Sequence, residues 1–271
     1  VATPVTHYEN FPVASWLCPP ALRPPIAAIY HFARTADDIA DEGDASDEER
    51  LQGLDAYHHE LERIAQGRLP TRPDFEELLS VVTEWQLPLS LFYDLLDAFA
   101  QDVRQKRYAD YAQLLNYCRR SANPVGRLLV YLVNRASEEN LYRSDCICTA
   151  LQLINFWQDI AIDWQKNRVY LPQDELAQFH VDEAQIAEGR WDADWAALLD
   201  FQIDRTRALM LEGAPLVHAL PGRMGWEIRF TVQGGLRILE RIRAVRGDVF
   251  RQRPQLGTPD WLRMAARTLF M

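Results

Sequence analysis

Three oxygen-bearing side chains recur every fourth residue in one apolar segment of the sequence. Asn155, Asp159 and Asp163 would form one stripe over two turns of a helix, because residues four apart share a helix face. Their neighbours are strongly apolar: Leu151, Leu153, Ile154, Phe156, Trp157, Ile160 and Ile162. Hard oxygen ligands on adjacent turns suit Mg²⁺, which keeps several waters and shares phosphate oxygens with its substrate. The segment therefore indicates a magnesium site that serves a phosphorylated substrate.

A second pair of carboxylates lies near the N-terminus. Asp37 and Asp41 are four residues apart, so they would project from one helix face about 6 Å apart along the axis. The same helix is otherwise apolar, with Ile26, Ala27, Ala28, Ile29, Phe32, Ala33, Ala36, Ile39 and Ala40. Like charges at this spacing repel each other, and Asp is a poor residue for a helix interior. A divalent cation would relieve that repulsion, and Arg34, one turn earlier, is placed to hold an anion beside it.

Basic and hydroxyl groups follow the first of these motifs. Lys166, Arg168 and Tyr170 come directly after the helix, where they can reach phosphate oxygens. One pair of acids on a helix is weak evidence, because exposed acidic faces carry such pairs by chance. Two pairs on apolar helices, one followed by a basic segment, favour two helices that face each other across a cavity. Their carboxylates would hold several Mg²⁺ ions, the ions would hold a diphosphate, and the rest of the cavity would be apolar.

The elements that must position these groups are helical nearly throughout. Apolar residues recur at helical spacing, and proline or glycine marks the breaks. Ser46 and Glu49 form a capping box that begins the second helix. The sequence therefore predicts one all-α domain over residues 1–271. The predicted helices span residues 26–42, 47–66, 73–86, 88–106, 110–121, 124–138, 142–165, 192–213, 223–246 and 258–269.

Composition narrows the classes of protein further. The 271 residues are 48% hydrophobic and carry a net charge of −10, which excludes wholesale disorder and argues against a nucleic-acid partner. The longest apolar runs are about six residues, far short of the ~20 that a membrane span needs. No H-E-x-x-H zinc motif and no G-x-G-x-x-G dinucleotide motif occurs. These features predict a cytoplasmic protein, with a peripheral contact at the inner face of the membrane if its product is oily.

The chain resembles the squalene and phytoene synthase family along nearly its whole length. The segments that carry the resemblance are Tyr30 to Asp41, Gln152 to Asp163 and Asn167 to Pro172. The resemblance implies the isoprenoid synthase fold, a helical bundle around a central cavity, together with Mg²⁺ dependence and a prenyl diphosphate substrate. It matches Asp37, Asp41, Asn155, Asp159 and Asp163 to the family's metal ligands. It places Arg34, Lys166, Arg168 and Tyr170 at or beside the family's diphosphate contacts.

One stretch departs from the family pattern. Many members carry a Tyr at the position of Arg119, and a Gly-Thr pair where this chain has Asn123 and Pro124. That Tyr is thought to assist the condensation of two prenyl diphosphates, so its absence puts this first half-reaction in doubt. The stretch around Asn123 and the segment His7 to Ser15 resemble the hydroxysqualene synthases of the bacterial hopanoid pathway.

The resemblance therefore implies that the enzyme ionises presqualene diphosphate and captures the cation with water, giving hydroxysqualene without NADPH. Arg119 is a further candidate for contact with the diphosphate, and Asn123 is a candidate to hold the water. Other enzymes of the hopanoid pathway are its expected partners. Two alternatives remain open: a squalene or phytoene synthase that condenses two prenyl diphosphates, and an all-α nucleotide pyrophosphohydrolase. Gln101 and Asp102, on the predicted helix 88–106, are weaker candidates for the cavity.

Overall fold

The computed structural model describes residues 18–251 and 253–271 and is built from helices. After a short 3₁₀ turn the chain forms α1 (Arg23–Asp41), α2 (Asp47–Ala65), α3 (Asp74–Trp85), α4 (Ser90–Arg104), α5 (Tyr111–Ser121), α6 (Asn123–Leu132) and α7 (Glu138–Gln165). It continues with α8 (Gln173–Gln178), α9 (Glu183–Glu188), α10 (Ala193–Gly213), α11 (Leu216–Ala219), α12 (Gly222–Ala244) and α13 (Thr258–Thr268). Within the described residues the extended pairing is one isolated parallel bridge, between Arg107 and Val169. The all-α prediction is thus confirmed, while the segment His7 to Ser15 lies outside the described residues.

The helix boundaries differ from the predicted ones where local capping outweighs apolar periodicity. The predicted helix 124–138 ends at Leu132, and Asn134 adopts a left-handed φ of 53°. Ser137 then caps α7 by accepting a hydrogen bond from the backbone N–H of Asn140 at 3.3 Å, so α7 begins before the predicted residue 142. The short helices α8, α9 and α11 were not predicted, because segments of four to six residues give too few turns for a periodic signal.

Two apolar clusters hold the helices together. One includes Phe32 of α1, Tyr57 of α2, Phe75 of α3 and Phe92 of α4, whose rings meet edge to face or tilted at centroid distances of 4.9–5.9 Å. Such contacts stabilise a core beyond the area they bury. This cluster fixes α1, and with it the first pair of carboxylates.

The second cluster surrounds α7. This helix has 28 residues and is therefore about 42 Å long, with Trp157 fully buried and its Nε1 donating to Thr206 of α10 at 2.9 Å. Residues of α10 and α12 complete the cluster. The polar stripe of α7 thus stands on a helix that packing around Trp157 holds in place, although Ile162 of the same helix is 47% exposed. Within the described residues, no helix combines the length and the apolar character that crossing a bilayer requires.

Gly213 lies where α10 packs against α7. A methyl group at this position would stand 2.6 Å from the carbonyl oxygen of Arg143 and 2.9 Å from the backbone nitrogen of Ile147. Because both are backbone atoms of α7, the helices would have to separate. We expect Gly213→Ala to lower the free energy of unfolding by about 1–3 kcal/mol, the usual cost of overpacking, although Ala is the better helix former. Urea denaturation followed by circular dichroism measures this, and an unchanged midpoint would contradict the tight contact.

Candidate active site

The two carboxylate helices meet through the basic segment that follows α7. The Nζ of Lys166 pairs with Oδ2 of Asp41, and Nη1 of Arg168 lies 2.7 Å from Oδ1 of the same carboxylate. Residues from the end of α7 therefore hold the end of α1. This brings Asp37 and Asp41 to the same region as Asp163, as the sequence predicts.

The four aspartates of the two motifs, Asp37, Asp41, Asp159 and Asp163, differ in how well nearby positive charge compensates their negative charge. Burial raises the pKa of Asp163 to about 8, and the neighbouring carboxylate of Asp159 adds to the shift. Burial likewise raises the pKa of Asp37 to about 6, with Asp41 contributing repulsion. Burial also acts on Asp41, but its bonds to Lys166 and Arg168 outweigh it, so its pKa is lowered. Two of the four carboxylates thus sit where their negative charge lacks sufficient compensation, which a bound cation would supply.

A buried network of polar side chains, Asp102, Tyr117 and Tyr170, lies next to Arg168. Asp102 of α4 is buried and accepts hydrogen bonds from the hydroxyls of Tyr117 and Tyr170, the second at 3.0 Å. Arg168 lies close enough to attract the Asp102 carboxylate, while burial keeps the pKa of Asp102 above its ordinary value. Tyr170, predicted from the sequence to contact the diphosphate, thus donates its hydroxyl to the buried carboxylate of Asp102 instead. The network fixes the segment that carries Arg168.

The arginines of the site have donors to offer an anion. In the described part of the chain, the Nε atoms of Arg34 and Arg168 are buried and have no hydrogen-bond partner. The other nitrogens of Arg34 face Asp37 at 3.4 Å and Asp38 at 2.5 Å. Buried donors without partners are costly, so these two N–H groups are available to a hydrogen-bond acceptor on a bound molecule.

Arg253 lies at the candidate site, and no sequence pattern predicted it. Its guanidinium crosses to α7 and makes a two-point contact with Asp159, in which Nε meets Oδ1 and Nη2 lies 3.1 Å from Oδ2. The sequence shows an arginine-rich stretch from residue 223 to 267, but no spacing singles out this member. Tyr117 was not predicted either, because its partner Asp102 lies on another helix and no sequence spacing links the two.

Two predicted residues, Arg119 and Asn123, contact groups other than the carboxylates. Arg119 is exposed and donates to Asn116 on its own helix at 3.1 Å, which gives no support to a diphosphate contact; that role stays a prediction. Asn123 is buried and accepts a hydrogen bond from Thr149 of α7 at 2.8 Å. Thr149 precedes Asp159 by about 15 Å along the helix, so Asn123 lies well inside the bundle. Asn155 is half-buried, one turn before Asp159.

The wall beside Asp163 is apolar and aromatic. A small pocket there is lined by Phe156, Ile160, Asp163, Arg168, Val169, Tyr170 and Leu171. The rings of Phe156 and Tyr170 stack at a centroid distance of 3.8 Å and an angle of 8°. In this pocket the Asp163 carboxylate and the Arg168 guanidinium thus lie next to apolar and aromatic side chains.

The side chains that could bind a metal are of the kind that Mg²⁺ prefers, although among the described residues their oxygen atoms do not converge on one point. Within residues 18–251 and 253–271, no three acidic, histidine or cysteine side chains converge on one point, and Asp41 and Asp159 are paired with cations of the chain itself. The fit rests on the chemistry of the donors: carboxylates on facing helices, two of them with raised pKa values. This donor set matches the preference of Mg²⁺ for a few carboxylates completed by water and substrate phosphates.

The raised pKa of Asp163 predicts how the free energy of unfolding depends on pH when a chelator keeps the protein free of metal. Its ordinary pKa is 3.8 and its pKa in the fold is about 8, so the folded state binds the proton more tightly. The free energy of unfolding should therefore fall as the pH rises from about 4 to about 8, where Asp163 ionises. Asp163→Asn removes this dependence and should have the higher Tm above pH 8, by about 2 °C or more.

Thermal unfolding in EDTA at a series of pH values measures the difference between wild type and Asp163→Asn. Groups common to both proteins cancel in that difference, and the window from pH 6 to 8 lies above the pKa of about 6 of Asp37. Asp204→Asn, which alters an exposed carboxylate paired with Arg243, is the matched control. Parallel curves for wild type and Asp163→Asn would contradict the assigned pKa.

Comparison with known proteins agrees with this geometry. Residues 5–260 match the family model described as squalene/phytoene synthase. A hydroxysqualene synthase of Rhodopseudomonas palustris is 37% identical over 222 residues, which cover 81% of this chain and 74% of that protein. One of Zymomonas mobilis is 41% identical over 185 residues, covering 64% of this chain and 61% of that protein. The crystal structure of a squalene synthase of Alicyclobacillus acidocaldarius superposes with a TM-score of 0.83 at 36% identity, covering 89% of this chain and 90% of that one.

Proposed function

The chain belongs to the squalene/phytoene synthase family, and from that premise we propose that it converts presqualene diphosphate and water into hydroxysqualene and diphosphate. The observation that carries a diphosphate reaction is the meeting of the two carboxylate helices with Arg34, Lys166 and Arg168. The choice of presqualene diphosphate is supported by Arg119 and Asn123, which depart from the pattern of the condensing members, and by similarity to the two hydroxysqualene synthases. Membership in the family leaves the nucleotide pyrophosphohydrolase alternative without support.

In this proposal the charged end of the site binds the diphosphate. Asp37, Asp41, Asn155, Asp159 and Asp163 would hold Mg²⁺, which when bound neutralises charge on the leaving group. Arg34, Lys166 and Arg168 would donate to the diphosphate oxygens, while Arg253 contacts Asp159, one of the carboxylates that would hold the metal. In the structure each of these cationic side chains pairs with a carboxylate. When the metal and the substrate bind, the carboxylates would pass to the metal, and the cationic side chains would move to the phosphate.

The first chemical step is ionisation. The bond between the carbinyl carbon and the diphosphate oxygen breaks, and its electron pair leaves with the diphosphate. Once the substrate is bound, donors held around the diphosphate stabilise the charge that develops on it as the bond breaks. The apolar wall of Phe156, Ile160 and Leu171 keeps bulk water away from the hydrocarbon chain while the cyclopropylcarbinyl cation rearranges.

The second step is capture of the rearranged cation by one water molecule. The water oxygen forms the new bond to carbon, and the extra proton passes to solvent or to the departing diphosphate. Asn123, buried beside Thr149, is the proposed holder of this water. No hydride is needed, so the reaction should run without NADPH. Other enzymes would supply the presqualene diphosphate and reduce the hydroxysqualene.

Parallel incubations test the proposal. The enzyme with Mg²⁺ is given presqualene diphosphate in one reaction and farnesyl diphosphate in another, each with and without NADPH, and the products are measured by mass. We expect hydroxysqualene from presqualene diphosphate in both conditions and little turnover of farnesyl diphosphate. Conversion of farnesyl diphosphate at a comparable rate would instead identify a condensing squalene synthase, and conversion of geranylgeranyl diphosphate, tested in the same way, a phytoene synthase.

A further inference from the structure

Helix α13 has an unusual distribution of polar and apolar residues. Its buried face holds Asp260, Met264 and Thr268, and Asp260 forms an ion pair with Arg237 of α12 at 2.6 Å. Its outward face holds Leu262, which is 73% exposed, and Leu269, one heptad later. Surface helices ordinarily bury such residues and expose the polar ones. The outward face of α13 therefore has the character of a contact surface.

The apolar surface continues onto α12. The guanidinium of Arg229 lies over the ring of Trp226 at 4.8 Å and donates to the carbonyl oxygen of Thr268 at 3.3 Å. These contacts place Trp226 beside the end of α13, where Phe270 is 91% exposed. Five exposed apolar residues thus form what we call the α13 face: Trp226, Trp261, Leu262, Leu269 and Phe270.

Two arginines lie at the α13 face, although the chain as a whole has a net charge of −10. Arg263 is exposed on α13 itself, and Arg229 covers Trp226. Aliphatic residues at the centre, with tryptophan and arginine at the edges, are the composition of helices that lie in a membrane interface. Arginine can bury its stem there while its charge reaches the headgroups.

We propose that the α13 face docks onto the surface of a lipid bilayer that contains anionic lipids. Arginines at its edge, Arg229 and Arg263, match anionic headgroups. Docking would place an enzyme without a membrane-spanning helix among its described residues against the phase in which a C30 hydrocarbon product dissolves. The binding itself does not depend on the reaction, so the proposed function can fail while this proposal stands.

Vesicle sedimentation tests the docking with the whole protein and no substrate. Wild type is mixed with vesicles of phosphatidylcholine alone, or of equal parts phosphatidylcholine and phosphatidylglycerol. The double variant Leu262→Ser with Phe270→Ser removes apolar area from the α13 face, and Arg263→Glu reverses one edge charge. Leu69→Ser is the matched control, because Leu69 is 75% exposed in the loop after α2, outside the α13 face.

We expect wild type and Leu69→Ser to sediment with the anionic vesicles. The double variant should bind at least about 10-fold more weakly, and Arg263→Glu should lose part of the preference for phosphatidylglycerol. All of the variants change exposed side chains, so their circular dichroism should match wild type. Equal binding by wild type and the double variant, or no binding by wild type, would overturn the proposal. A wild-type dimer in light scattering that the double variant dissociates would assign the face to a second copy instead.

Discussion

Replacing Asp159 by Asn should lower kcat by about 10³-fold or more while the fold remains intact. The substitution removes one negative charge from the stripe of α7, at the carboxylate that contacts Arg253. Because the carboxylates are proposed to hold the metal that neutralises the leaving diphosphate, one lost ligand charge weakens the stabilisation of charge in the transition state. Asn keeps the size and a hydrogen-bond acceptor, so Arg253 retains a partner. Turnover of presqualene diphosphate at saturating Mg²⁺ measures the effect.

The matched control is Asp204→Asn on α10. Asp204 is an exposed carboxylate that pairs with Arg243 at 2.6 Å, so the control makes the same chemical change outside the site. Its kcat and circular dichroism should equal those of wild type. Full activity of Asp159→Asn with an intact fold would show that the stripe on α7 does not hold the metal.

Replacing Arg168 by Ala should lower kcat by about 10²-fold or more. Arg168 contacts Asp41 at 2.7 Å and has a buried Nε without a hydrogen-bond partner in the described chain. Its loss removes a donor to the departing diphosphate. It also removes one of the two cations that pair with Asp41, so that Lys166 remains as the other. Arg168→Lys keeps the charge but not the planar set of donors, so its kcat should fall between those of Ala and wild type.

Steady-state kinetics separates the two roles that Arg168 can have. A fall in kcat means that the guanidinium acts mainly in the transition state, whereas a rise in KM alone means that substrate and transition state are bound equally. The second pattern would contradict the assignment of Arg168 to the leaving group. Urea denaturation of each variant shows whether loss of stability contributes.

The sequence predicted the parts of the site that repeat along one helix. Asn155, Asp159 and Asp163 are visible because a four-residue spacing on an apolar helix is a local pattern, and Asp37 and Asp41 follow the same rule. The basic residues Lys166 and Arg168 could be associated with them since they follow directly in the chain, as the family resemblance also implies. The long helices were predicted for the same physical reason, because their apolar faces repeat every three to four residues.

The remaining parts depend on contacts between residues that are far apart in the sequence. Arg253 reaches Asp159 across 94 residues, and Tyr170 reaches Asp102 across 68. Neither pair has a spacing that a single sequence can show, because the packing of different helices creates it. The pairing of Asp41 with Lys166 and Arg168, which lowers its pKa below that of Asp163, likewise exists only once α1 and α7 are in place.

The origin of the oxygen in the product tests the proposed reaction most directly. Presqualene diphosphate is converted with Mg²⁺ and without NADPH in water enriched in oxygen-18, and the product is examined by mass spectrometry. We predict hydroxysqualene in which the hydroxyl oxygen carries the label of the solvent, because water forms the last carbon–oxygen bond. A product whose oxygen is unlabelled, or squalene that appears only when NADPH is added, would rule out capture of the cation by water.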